Sequence, residues 1–175
     1  MQRKERESNL GYRFVVGGPG SSGSTVISKR LADRYGLKRV YAGSVFRKYI
    51  KELGYSEFED FYSVANRDVL LEFDRRVDEW LMGEIKKSNV LIKSKVFAGI
   101  ATVRGVDCTV KVWLDASLHV RTLRFLGKLR GIGLLERFIK YFSVRMNLKR
   151  RWDMDRSRYG DLYGIKYDAP ELYND

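Results

Sequence analysis

The sequence predicts an α/β fold, a mostly parallel sheet flanked by helices, and three observations carry that prediction. Short apolar runs of strand length recur at "YRFVV", "KRVYAG", "NVLIKSK" and "CTVKVWLDA". Longer stretches with apolar residues at helical spacing separate most of them. A glycine-rich turn, "GGPGSSGST" from Gly17 to Thr25, lies directly between the first apolar run and the first helical stretch. Parallel strands need crossover connections, and helices are their usual form.

Each element follows in order. Residues 1–10 are polar and charged and are expected to form a basic flexible arm, with 11–175 as a single domain. "YRFVV" reads as a buried strand ending at the glycines. "STVISKRLADRYG" carries Val26, Ile27, Leu31 and Ala32 and stops at Gly36, as an amphipathic helix does. "KRVYAG" is a second short strand or its exit. "SVFRKYIKELG" turns Val45, Phe46, Tyr49, Ile50 and Leu53 to one side. The region from Ser56 to Ser88 is helical, read as one long helix or as two broken near Asn66. "NVLIKSK" and "CTVKVWLDA" follow as consecutive strands, the second clearly buried, with Cys108 as a small core residue. "SLHVRTLRFLGKLRG" is an amphipathic basic helix, and a further arginine-rich helical region runs from Leu134 to Ile165. No repeat or linker divides the chain.

Composition narrows the function. The 175 residues hold 34 Lys plus Arg against 22 Asp plus Glu, a formal charge of +12. That bias points to phosphate-rich partners, either nucleotides or nucleic acid, or to a solvated basic surface. One Cys and one His rule out an internal disulfide and make a Cys/His zinc site or a Ser-His-Asp triad improbable. No apolar run approaches the ~20 residues of a membrane span, and no secretory signal is read at the start. The expected compartment is the cytoplasm, with no membrane and no disulfide partner.

The loop matches G-x-x-x-x-G-[KS]-[ST] from Gly18 to Thr25, with Ser24 in the slot that usually holds lysine. Glycines let successive amides point into one concavity, and the following helix sets its positive end beneath it. Gly18, Gly20, Ser21, Ser22, Gly23, Ser24 and Thr25 are therefore the candidate phosphate-binding residues. Thr25 would offer its hydroxyl to Mg²⁺. The same glycines would also serve a plain strand-to-helix turn.

Several further stretches resemble the archaeal-type cytidylate kinases, in the same order. "LADRYGLKRVYAGSVFRKYIKELGYSEFEDF" is similar to the opening half of that family, including its "YAGxIFR" segment. "LLEFDRRVDE" resembles "IDxxxDRRQ", and "NVLIKSKVFAG" stands where the family has "NVVxEGRLAG". "VKVWLDASLHVRTLR" resembles "LKIWLDAPxxVRAER", and "RWDMDRSRYGDLYGIK" resembles "RExxxRxRYxxLYGID". The resemblance spans about Tyr12 to Asp168. A hydroxyl residue in the lysine slot also occurs in that archaeal subgroup.

The resemblance implies a P-loop nucleoside monophosphate kinase that transfers the γ-phosphoryl group of ATP to CMP or dCMP with Mg²⁺. It implies an acceptor-binding helical segment at about 44–88 and a basic helical lid at about 126–160. Arg47, Asp74 and Lys95 would bind the acceptor, with Arg75 and Arg76 completing the family's "DRR". Arg124 would reach ATP, whereas Arg121 is left to solvent. Arg151, Asp155 and Arg158, at i, i+4 and i+7, share a helix face and match the family's catalytic lid residues.

Three departures are visible. The family's "EGR" reads Lys93-Ser94-Lys95, so Lys95 keeps a charge but not a bidentate fork. The stretch from Leu126 to Tyr141 lacks the family's "REG". The family usually continues through another strand and helix past the position of Asp175. Arg145, Lys149, Arg150 and Trp152, with nearby tyrosines, also form a pattern suited to RNA. The alternative function is thus a degenerate family member that binds rRNA or the ribosome without kinase activity.

Overall fold

The computed structural model describes residues 11–55, 61, 64, 66–129, 131, 133–166 and 168–173. The expected N-terminal arm, part of the acceptor-binding segment and Tyr167 lie outside the described residues.

Four strands form one parallel sheet: β1 Arg13–Gly17, β2 Lys38–Tyr41, β3 Val90–Lys93 and β4 Val110–Trp113, in the order β2-β3-β1-β4. β1 pairs with β3 on one side and with β4 on the other, all in parallel register. The crossovers are helical, α1 Ser24–Tyr35, α2 Ala42–Glu52, α3 Arg67–Ile85 and α4 Phe97–Val103, and α5 Leu118–Leu126 and α6 Leu134–Tyr163 follow β4. A short 3₁₀ turn follows at Pro170–Leu172. The architecture is the P-loop nucleoside monophosphate kinase-like α/β fold that the element order predicts.

The period of two along the strands divides the core. Phe14, Val16 and Leu91 pack with Ala32 and Leu37 on the α1 face. Val15, Val40, Val90 and Ile92 pack with Phe46, Ile50, Phe73, Leu81 and Phe97 on the other. Complete burial of a Val, Leu or Ile side chain stabilises by about 1.5–3 kcal/mol. The central strands β1 and β3 are thus anchored from both sides.

Two expectations change. β3 and β4 are not consecutive: α4 intervenes, because two parallel strands cannot be joined by a turn. Its sequence, "FAGIATV", is buried over Phe97–Ala101 and offers little polar face to read. β4 is half-buried rather than fully buried, since it lies at one end of the strand order and pairs only with β1 among the described strands.

Asn66, the residue at the expected break, caps α3. Its side-chain oxygen accepts from the Val69 amide at 2.9 Å, satisfying an amide that the helix itself leaves unpaired. α6 is one unbroken helix of 30 residues. Its C-terminal half docks on the sheet side, where Trp152, Tyr159 and Tyr163 pack around Val96 and Ile100. Among the described residues, no helix is long and apolar enough to cross a membrane.

Candidate active site

β1 ends at Gly17, and the chain turns through the loop into α1. Gly18 has φ 141°, and a Cβ there would come within 2.3 Å of the Leu114 carbonyl oxygen. Only glycine permits both that backbone and that approach to the exit of β4. Gly23 caps α1 at φ 106° without a side-chain hydrogen bond. Ser21 also takes a positive φ, 65°. The opening amides of α1 lack intrahelical acceptors, so the concavity at Gly23 is a positive, anion-directed end. The Ser22 hydroxyl is buried there with no hydrogen-bond partner.

α5 grips the loop from outside. Arg124 donates from Nη1 to the Ser22 carbonyl at 2.5 Å, and Arg121 donates from Nε to the Gly20 carbonyl at 2.8 Å. With these carbonyls held toward α5, the loop keeps a fixed shape around the concavity. Arg121 is buried and lies 5.6 Å from the Trp152 ring centroid, so its expected place in solvent is overturned. Its role is inseparable from a loop about a hundred residues earlier, a contact that no local pattern signals. Ser24, in the lysine slot, is buried; Thr25 is exposed on the first turn.

A second cluster forms where β2 and β3 end. Tyr41 and Lys93 are register partners. Lys93 Nζ lies 3.9 Å from the Tyr41 ring centroid, and the guanidinium groups of Arg47 and Arg39 lie 5.1 and 5.5 Å away. Burial pushes the Tyr41 phenol up, but Lys93 and Arg47 outweigh it, so the phenol is held below its ordinary value. Burial pushes Lys93 down, against the opposing pull of Tyr41. Attraction to the Tyr41 ring offsets part of the cost of burying the Lys93 charge.

The third cluster joins β3, α3 and α6. Lys95 is bonded to the Asp155 carboxylate. Arg158 donates from Nη2 to the other Asp155 oxygen at 3.2 Å. The same guanidinium forms an ion pair through Nε with Asp74 at 2.6 Å. Burial raises the Asp74 carboxyl to about 6, with Arg158 opposing the rise. One turn along α3, burial raises Asp78 to about 7 although the Tyr163 hydroxyl donates to it at 2.7 Å. Burial pulls Lys95 down, with Asp155 opposing.

The sequence-selected residues thus fall into neighbouring groups. The loop residues and Arg124 come together, as do Lys95, Asp74, Asp155 and Arg158. Arg47 joins Tyr41 and Lys93. Arg151 is exposed on α6, close enough that its charge acts on Lys95. Arg75 and Arg76 are exposed, and Arg76 pairs with Glu72 across one helical turn at 3.0 Å. On α6, Lys149 pairs with Asp153 at 2.6 Å and Trp152 packs against Trp113 with centroids 6.1 Å apart. Arg145 approaches the Tyr141 hydroxyl at 3.5 Å, and Arg150 is exposed.

Sequence reasoning missed Arg121, Tyr41 and Asp78 as parts of these clusters. Asp78 had a signal: it stands four residues beyond Asp74 on the same helix face.

Among the described residues, no group of three or more His, Cys, Asp or Glu is placed to hold a metal unaided. A magnesium ion carried on a nucleotide fits better. Such an ion takes much of its shell from phosphate and water, and the exposed Thr25 hydroxyl at the loop's end suits one further place.

Comparison with known proteins identifies relatives of the chain. A family model described as an AAA domain matches residues 16–127. The cytidylate kinase of Pyrococcus horikoshii is 37% identical over 161 residues, spanning 92% of this chain and 76% of that one. The cytidylate kinase of Methanopyrus kandleri is 35% identical over 169 residues, spanning 92% and 81%. An uncharacterized protein from Eubacterium ventriosum shares the fold at TM-score 0.58 and 12% identity, over 93% of this chain and 86% of the other. With its glycine loop at the end of β1 and its basic clusters at the ends of β2 and β3, the chain belongs to the cytidylate kinase family.

Proposed function

We propose that the protein transfers the γ-phosphoryl group of ATP to CMP or dCMP. One observation carries the reading. The glycine loop, the Tyr41–Lys93–Arg47 cluster and the Lys95–Asp155–Arg158 cluster all lie at the carboxyl ends of adjacent parallel strands. That edge is where open α/β sheets bind ligands.

In this reading the loop amides and Arg124 bind the ATP phosphates. Mg²⁺, held through Thr25, would neutralise phosphate charge and orient the transferred group. Arg47, Asp74 and Lys95 serve the acceptor, and Arg47 is exposed at the mouth with its guanidinium available to a phosphate dianion. An acceptor phosphate attacks as an anion, so the reaction asks for positive charge and alignment rather than a strong base. Arg151 and Arg158 supply the charge, and Asp155 fixes Arg158 and Lys95. Because Arg158 is paired with two carboxylates, substrate must compete for its guanidinium.

A coupled assay of ADP release with ATP and CMP, dCMP, UMP or AMP tests the proposal. Turnover with CMP or dCMP is expected; no transfer to any acceptor by folded protein overturns it. A second reading, RNA or ribosome binding without catalysis, draws on the +12 charge and the exposed Arg150. Cosedimentation with ribosomes across a salt series tests it, with a steep salt-dependent loss expected from phosphate contacts.

A further inference from the structure

The first half of α6 carries a surface the proposed chemistry does not use. Leu134, Leu135, Phe138, Ile139, Phe142 and Met146 are 60–87% exposed. Their spacing places them on one stripe of the helix, about 18 Å long. Phe138 and Phe142 meet edge to face with centroids 6.0 Å apart. Six side chains this exposed present on the order of 700 Å² of apolar surface. That exceeds the largest patch of an ordinary monomer and approaches the roughly 800 Å² per partner of a standard interface.

The pattern is self-complementary. Laid antiparallel on a copy of itself about position 140, the stripe sets Leu134 against Met146 and Phe138 against Phe142. A two-fold axis repeats both pairs. Two of the lysines beside it are paired within the helix. Lys140 pairs with Glu136 at 2.6 Å and Lys149 with Asp153 at 2.6 Å. Four of the six side chains, Leu134, Leu135, Ile139 and Met146, are aliphatic and suit packing against another apolar surface better than stacking on RNA bases.

We propose that this face of α6 binds a second copy of the chain, forming an antiparallel, two-fold symmetric homodimer. The inference stands apart from the kinase reading, since none of the six residues belongs to the site.

Sedimentation velocity and light scattering over a concentration series read the mass directly. A species of twice the 20.4 kDa chain mass is expected at micromolar concentration. Phe142→Glu should raise the dimer dissociation constant at least about 30-fold, the scale of an interface hot spot. Leu134→Glu, at the most exposed position of the stripe, should weaken the dimer without disturbing the fold; circular dichroism checks both variants. Mixing Phe142→Glu with Phe138→Lys should restore association, because the antiparallel register brings those positions together. A wild-type monomer at high micromolar concentration overturns the proposal. So does a dimer indifferent to both Glu substitutions. Capture of a monomeric wild type by RNA or by phosphatidylglycerol vesicles, abolished by Phe142→Glu, would assign the face to another occupant and equally overturn it.

Discussion

Replacing Arg158 with Met should destabilise the protein in a manner that depends strongly on pH. Arg158 faces two buried carboxylates, Asp74 at 2.6 Å and Asp155 at 3.2 Å. Asp155 would retain Lys95, whereas Asp74 would lose its nearest cation. Removing one partner of a buried ion pair costs about 3–5 kcal/mol, because a charge is left uncompensated. The cost at about pH 8 should therefore be about 3–4 kcal/mol. Asp74 is raised to about 6 from 3.8, so the folded state holds its proton more tightly than the unfolded chain. Stability from that group is fully present below 3.8 and is lost as the pH rises through about 6. Without Arg158 the folded value climbs further, so Asp74 meets lower pH as a neutral acid. The cost should shrink to about 1–2 kcal/mol near pH 5, where only hydrogen bonding and packing are missing. Urea unfolding followed by circular dichroism at intervals between these limits gives both numbers. A cost that is flat across the range, or below about 1 kcal/mol at pH 8, would refute the reasoning.

Asp78→Asn should act in the opposite direction. Its carboxyl is raised from 3.8 to about 7, and an amide oxygen can still accept from Tyr163, so the variant should gain about 1–3 kcal/mol at pH 8, a gain that shrinks as the pH falls and vanishes below 3.8 in the same unfolding assay. Gly18→Ala forces a side chain into φ 141° and toward the Leu114 carbonyl; a loss of at least about 2 kcal/mol in thermal or urea unfolding is expected. Lys93→Met removes a cation beside the Tyr41 ring, so the phenol should titrate at higher pH than in the parent, read as tyrosinate absorbance. Arg124→Ala frees the Ser22 carbonyl and should weaken ATP binding about tenfold while CMP binding stays within about twofold, by calorimetry.

The strands and most helices were legible because local pattern and tertiary role agree. "RFVVG" is apolar, β-branched and closed by glycine, and it becomes the central strand β1. α4 was illegible for the converse reason. A seven-residue helix buried along most of its length loses the polar face on which helical periodicity depends. In the site, the loop announces itself because its function is local backbone geometry. Arg121 does not, since its value comes from a carbonyl that only the folded β1–β4 neighbourhood delivers. Asp74 was selected by resemblance, yet its elevated proton affinity depends on enclosure among α3 and α6 side chains, which sequence order alone does not express.

The continuity of α6 has a mechanical consequence. Lys95, bonded to Asp155, and Asp74, paired with Arg158, clasp the helix near Asp155, and the Leu134 end stands 21 residues away, a lever arm of about 32 Å. A 10° swing about that clasp would carry the tip through about 5–6 Å, with no hinge required inside the helix. A change of charge at the pivot would be geared into a larger displacement at the far end, against the His119–Tyr141 contact at 2.8 Å that ties the helix to α5, and a spin-label pair spanning Leu134 and α1 would register it.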